Sequence, residues 1–299
     1  MEKLEPVTSG VGAVSSAEAR RRPQWRALPA SFGVWPLLAA LAVLFVWPLA
    51  GIIASSVTEP PGAGLSNYRH VLTDPTFARF VFNTVRTAVL VSATTALLGY
   101  FYAYAMYISA PRWRSFLMNC ALLPFWTSLL VRSFAWSVIL RDTGIVNWAL
   151  MRIGLIAQPI EMLRTPFAVT IGMTQILLPF VILPTYSSMA KFDAGLMRAA
   201  RSLGAGPGAA FWLVFFPSTQ IGLAAGLLLV FVLSLGYYIT PVLLGGPGDQ
   251  PIAVLINAQV VTQLDWGVAG SMSAIVTAVI LLLLALGWRA AIKMFEASA

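Results

Sequence analysis

At 299 residues, with 59% hydrophobic and 10% charged side chains, the chain has too little polar surface to coat a soluble globule; soluble domains carry about 25% charged residues. A mean hydropathy of +0.81 and long uncharged runs make the bilayer the expected solvent. The net charge of +8 raises nucleic acid as a partner, but the basic residues sit between apolar runs, as positive-inside topology requires, so nucleic acid is set aside.

One cysteine, Cys120, and one histidine, His70, exclude an intrachain disulfide and speak against a thiolate metal site or a His-based catalytic set. There is no Gly-x-x-x-x-Gly-Lys-Ser/Thr loop, so any ATP that drives the protein is bound by another subunit. No metal, no cofactor and no catalytic residue are expected.

The expected fold is all-α: a polytopic membrane protein of about six transmembrane helices with both termini cytoplasmic. Residues 1–30 read as a basic, disordered tail carrying Arg20, Arg21, Arg22 and Arg26. The apolar stretch 32–57 is longer than a signal-peptide core of roughly 7–15 residues, so it is read as an uncleaved first helix. Runs of roughly 20 apolar residues place the other spans at 80–108, 116–140, 167–188, 221–244 and 268–288. Pro36, Pro48, Pro124, Pro179 and Pro184 fall inside spans, where neighbouring groups can satisfy the freed carbonyls.

With the N-terminus inside, the inner segments carry Lys3, the four tail arginines, Arg112, Arg114, Lys191, Arg198, Arg201, Arg289 and Lys293. The outer ones carry Arg69, Arg79, Arg141, Arg152 and Arg164, and the long loop 245–267 has no Lys or Arg. The outer segment 141–166 is either a loop packed on the bundle or an interfacial helix with Trp148, Leu150, Met151, Ile153 and Leu155 on its apolar face.

The inner loop 191–217 is the most informative segment. Asp193 can cap a helix over 194–203 by accepting the free amides of its first turn. Leu196, Ala199, Ala200 and Leu203 share one face, and Gly204 closes the helix in a left-handed turn. A second short helix is expected over 209–216, stopping at Pro217. The spacing alone allows two outcomes: a connector resting on lipid, or a helix offered to a partner.

This stretch resembles the EAA loop of binding-protein-dependent ABC transporter permeases of the type I importer class. Ala199, Ala200, Gly204, the Leu203-Gly204-Ala205 run and the Phe216-Pro217 pair match that pattern. Arg198 stands where the family has Glu, and Gln220 where a second Pro is usual. The resemblance implies a coupling helix that docks on the ATPase, with an acidic or neutral residue facing Arg198. It also implies a partner ATPase dimer, a second permease subunit, a periplasmic substrate-binding protein and a multi-pass place in the bacterial inner membrane. The domains expected on that basis are the tail (1–30), the first helix (31–57), the permease domain (80–290) and the coupling loop (191–217).

Leu123-Pro-Phe-Trp-Thr-Ser-Leu-Leu-Val-Arg-Ser-Phe-Ala-Trp136, Gly144-Ile-Val-Asn147, Leu178-Pro-Phe-Val-Ile-Leu-Pro184 and Val242-Leu-Leu-Gly-Gly-Pro247 are similar to the first permease subunit of spermidine/putrescine importers. That similarity implies a polyamine cargo. Other cargoes of this class, namely an amino-acid derivative, an opine, a metal ion or a phosphonate, stay open.

Arg132 lies within the third expected span, where a charge costs about 2.5–3.5 kcal/mol or more unless it faces protein or water. It is expected to face the bundle interior, either on the pathway or in a structural pair with Asp142 or a carbonyl. Arg86 lies near a span end, where snorkelling accounts for it. Trp126, Trp136, Tyr237 and Tyr238 are pathway candidates because aromatic faces attract ammonium groups, although belt residues have the same composition. Asp142, Asp249 and Asp265 are acids near outer span ends. The rival reading is a self-sufficient secondary carrier, but no acid falls near a span centre and no internal repeat is visible.

Overall fold

The computed structural model describes residues 30–60 and 64–298. The basic tail expected over residues 1–30 lies outside them except for its last residue. The chain divides into two units, Met1–Gly51 and Ile52–Ala299. Helix α1, Ala30–Thr58, runs through the boundary, and its side chains from Val34 onward within the first unit are exposed.

The regular elements among the described residues of the second unit are all helices. After α1 come α2 (Ser66–Thr73), α3 (Pro75–Ile108), α4 (Pro111–Leu122), α5 (Leu129–Ile139), α6 (Ile145–Arg152) and α7 (Pro166–Ala190). They are followed by α8 (Ala194–Ser202), α9 (Pro207–Ala210), α10 (Phe216–Leu235), α11 (Ile239–Leu244), α12 (Ile252–Ala258) and α13 (Trp266–Ser298). Among the described residues, five helices are long and apolar enough to cross a membrane, and six if a bent pair counts as one span.

The core is the three-helix packing of α3, α7 and α10, with α13 against α10. In a bilayer apolar burial does not drive helices together, so close approach and polar ties must. Close approach comes from glycine. A Cβ on Gly99 would lie 2.8 Å from Val181 Cγ1, and one on Gly226 2.8 Å from Val181 Cα. One on Gly222 would collide with the Pro184 carbonyl oxygen. Pro184 has no N–H to offer the Phe180 carbonyl one turn earlier, and the bare Cα of Gly226 faces that oxygen. The polar ties are Thr94–Thr174 at 2.7 Å between α3 and α7, and Tyr100–Thr219 at 3.2 Å between α3 and α10.

Three expectations change. The third span is not one helix: α4 and the 3₁₀ turn Leu123–Trp126 meet α5 at a bend of 102°. Thr127 and Ser128 are both extended there, and the Thr127 amide and hydroxyl turn back to the Pro124 carbonyl at 3.3 and 3.1 Å. The fifth span begins earlier and ends earlier than hydropathy suggests. It runs Pro207–Leu235 without a break, α9 joining α10 through a π-helical segment, Phe211–Phe215. Pro217 therefore does not stop a short helix. It sits in the first turn of α10, where the flanking π segment absorbs the missing donor. The loop 245–267 holds α12 and a further π turn, Gln259–Gln263.

Candidate functional site

α8 projects from one end of the core, between α7 and the α9–α10 helix. Asp193 starts it, its Oδ1 accepting the Gly195 amide at 2.7 Å. Gly204 ends it at φ +89°, and the amides of Gly204 and Ala205 bond the carbonyls of Arg201 and Ala200 at 3.0 Å each. That pair of bonds is the Schellman arrangement, which needs a residue free to adopt positive φ.

The two faces of α8 differ. Leu196 is 49% and Leu203 89% exposed, and Ala199 between them is exposed as well. Ala200 on the same side is half-buried. On the other side Met197 packs into a cluster built around Tyr100, Met189 and Phe215, with Tyr104, Tyr107 and Phe211 at its edge. Arg198 is on this second side with Ala194 and Arg201, so it flanks the apolar face and is not part of it.

A second group of predicted residues gathers past the α4–α5 bend. Ser133 and Thr240 share a hydrogen bond of 3.1 Å that ties α5 to α11. Trp136 and Tyr237 are half-buried and pack against one core cluster. Arg132 is half-buried, lies within electrostatic reach of the Tyr237 hydroxyl, and has a buried Nε with no hydrogen-bond partner among the described residues. It does not pair with Asp142, which is exposed on the turn after α5. Tyr238 is outside this group, its hydroxyl accepting the Asn257 amide at 3.3 Å. Trp126 is 89% exposed at the bend itself, away from Trp136.

At the end opposite α8, two of the three predicted acids, Asp249 and Asp265, have structural partners. Arg86 does not snorkel. Its Nη2 meets Asp249 Oδ1 at 2.6 Å, the single ion pair among the described residues. Asn83 donates to the Gly248 carbonyl at 2.8 Å, and the Ile252 amide donates to Thr84 at 2.8 Å. Together these three residues of α3 clamp the loop between α11 and α12. Asp265 caps α13, accepting the Val268 amide at 2.9 Å. Fully buried Asn147 on α6 exchanges two hydrogen bonds with Ile160, at 2.8 and 2.9 Å, and closes the segment 141–166 while Trp148 stays exposed. Asn83 and Thr84 carried no signal in the sequence beyond being polar in an apolar run, and Asn147 stood out only as the end of the Gly144–Asn147 run.

No protein-family model matches the chain. The spermidine/putrescine transport system permease protein PotB of Haemophilus influenzae is 34% identical over 264 residues, 84% of this chain and 92% of that protein. PotB of Escherichia coli K12 is 34% identical over 226 residues, 76% and 82% of the two chains. Among solved structures, a bacterial alginate ABC transporter in complex with its alginate-bound periplasmic protein has a chain of the same fold, with a TM-score of 0.71 at 16% identity over 88% of this chain and 93% of that one. With a core of bundled spans, a projecting α8 and a third of its residues shared with PotB over most of its length, the chain belongs to the ABC transporter permeases, as a multi-pass, non-catalytic inner-membrane component of a binding-protein-dependent importer.

Proposed function

We propose that this permease moves a polyamine such as spermidine or putrescine, and that α8 is the coupling helix through which a separate ATPase dimer drives it. The observation that carries this reading is the free apolar face of Leu196, Ala199 and Leu203, held out from the core by a capped, nine-residue helix between two spans. The 34% identity to two PotB proteins supports the cargo class. In this reading the residues 191–217 face the cytoplasm, as do both termini. The partners are two ATPase copies, a second permease subunit, a periplasmic binding protein and membrane lipid. ATP-driven closure of the ATPase pair pushes α8 and shifts a two-state bundle between inward-open and outward-open forms.

Trp136 and Tyr237 are the proposed cation-facing aromatics, each adding roughly 0.5–2 kcal/mol toward an ammonium group. Weak groups suit transport, since a tight site would hold its cargo. Arg132 beside them sets a repulsive limit on how long a cation resides. Asp249 is committed to Arg86 and positions the loop instead of offering a free carboxylate.

The test is reconstitution in liposomes with an ATPase, a second permease and a binding protein of the same importer. Radiolabelled spermidine or putrescine is expected to enter only with ATP, and Leu203→Asp is expected to lower uptake at least about tenfold by burying a charge in the docking contact. Uptake without any ATPase overturns the importer reading in favour of a secondary carrier. ATP-dependent uptake of another solute with none of polyamine overturns the cargo.

A further inference from the structure

Two hollows that share Phe211 as a wall follow one another from α8 along the side of the core, and together they outline a groove whose chemistry changes along its length. The end beside α8 has a volume of about 230 Å³ and is lined by Tyr104, Tyr107, Met197, Arg198, Arg201 and Phe211. The adjoining stretch, about 340 Å³, lies between Ala93, Leu97 and Phe101 of α3 and Phe211, Trp212 and Phe216 of the α9–α10 helix. Phe211 walls both stretches. On α3 the lining residues recur at 93, 97, 100, 101, 104 and 107, one stripe of a helix. On α8, Ala194, Met197, Arg198 and Arg201 follow the same i, i+3, i+4, i+7 spacing, so both arginines stand on the side of α8 that lines this end.

We infer that this groove is a binding site for one anionic phospholipid, with the headgroup phosphate between Arg198 and Arg201 and an acyl chain lying along Leu97, Phe101 and Trp212. Three observations carry it. Neither arginine has an ion-pair partner among the described residues, and both are exposed at the groove mouth. A planar guanidinium suits a phosphate through paired N–H donors. The apolar stretch from Ala93 to Phe101 rises about 12 Å at 1.5 Å per residue, within the roughly 15 Å depth of one leaflet of the hydrocarbon core. A free phosphate would use the arginines and leave the apolar stretch without a role. A carboxylate of the ATPase would do the same, and the outward face of α8 already offers that partner a surface. The site stands on α8 lying at a membrane surface and does not need α8 to couple to ATP. Because the lipid would bridge α8 to α3, it ties the position of α8 to the composition of the leaflet around it.

The experiment uses the whole importer, ATPase included, in nanodiscs of phosphatidylcholine with phosphatidylglycerol as a minor component. Native mass spectrometry then counts the retained lipid. Wild type is expected to retain phosphatidylglycerol over phosphatidylcholine, and excess inorganic phosphate is expected not to displace it. Arg198→Gln with Arg201→Gln is expected to lower that retention about tenfold or more, and Arg198→Lys with Arg201→Lys to keep most of it. Leu97→Trp, which fills the apolar stretch and leaves both arginines in place, is expected to lower it as well. Unchanged retention in the glutamine and tryptophan variants overturns the site. So does loss of the ATPase from the glutamine variant with phosphatidylglycerol still bound, which would assign the two cations to a protein carboxylate.

Discussion

Gly204 has nothing within 4 Å of where a Cβ would sit, so a substitution there is decided by backbone conformation alone. At φ +89° an alanine is strained by about 1–2 kcal/mol, and asparagine by less. We expect Gly204→Ala to speed hydrogen exchange of the α8 amides and to lower transport, with Gly204→Asn intermediate. The start of the same helix rests on Asp193, and Asp193→Ala removes a cap bond of 2.7 Å, costing about 1 kcal/mol of helix stability. Arg86 and Asp249 present a different case. Their side chains are 34% and 22% exposed, between a surface pair and a buried one. Asp249→Asn should therefore cost about 1–3 kcal/mol, mostly from the guanidinium left uncompensated. Thermal unfolding in detergent measures that loss. Exchanging the two residues is expected to recover part of it, which a purely local effect of either side chain would not allow.

The elements that matter most are those whose packing has no slack. α7 and α10 touch where Gly226 meets the Val181 Cα and the Phe180 carbonyl, all backbone. Gly226→Ala should cost about 1–3 kcal/mol because neither side can rotate out of the way. Gly206→Ala, in open space at φ −65°, should cost little. Comparing the folded yields of the two variants in membranes separates close packing from the general effect of losing a glycine. The broken third span shows how an element can be misjudged. The run from Phe116 to Leu140 is apolar enough for one span, and a hydropathy window averages over the two extended residues Thr127 and Ser128 that turn the chain through 102°. Pro124 marks the place, but Pro179 and Pro184 sit within an unbroken α7, so a proline in a span predicts no break by itself. What decides is whether a tertiary partner holds the new direction, as Thr240 of α11 does for Ser133 of α5.

For the molecule as a whole, the useful contrast is between its two ends. At one, α8 is held by a single cap, one glycine and the Met197 contact, and presents its apolar face free. At the other, Asn83, Thr84 and Arg86 lash the loop between α11 and α12 to α3, and Asn147 closes the segment 141–166. A bundle arranged this way is expected to rock about its clamped end while α8 moves with the ATPase. Spin labels placed on residue 203 and on the exposed residue 248 should then show ATP-dependent distance changes relative to α7 that are larger at 203. Equal changes at both ends would contradict a pivot at the clamp.

Composition determined the solvent, and apolar run length determined most of the crossings, because a bilayer leaves the backbone no alternative to helices of about 20 residues. The α8 segment was legible for a related reason: a cap, a four-residue apolar spacing and a glycine are local chemistry, and Asp193, Leu196, Leu203 and Gly204 sit where that chemistry puts them. Which way Arg198 turns, which acid Arg86 finds 163 residues away, and where the third span folds back are long-range matters. Only the tertiary structure decided these, since each depends on which surfaces the three-helix core brings together.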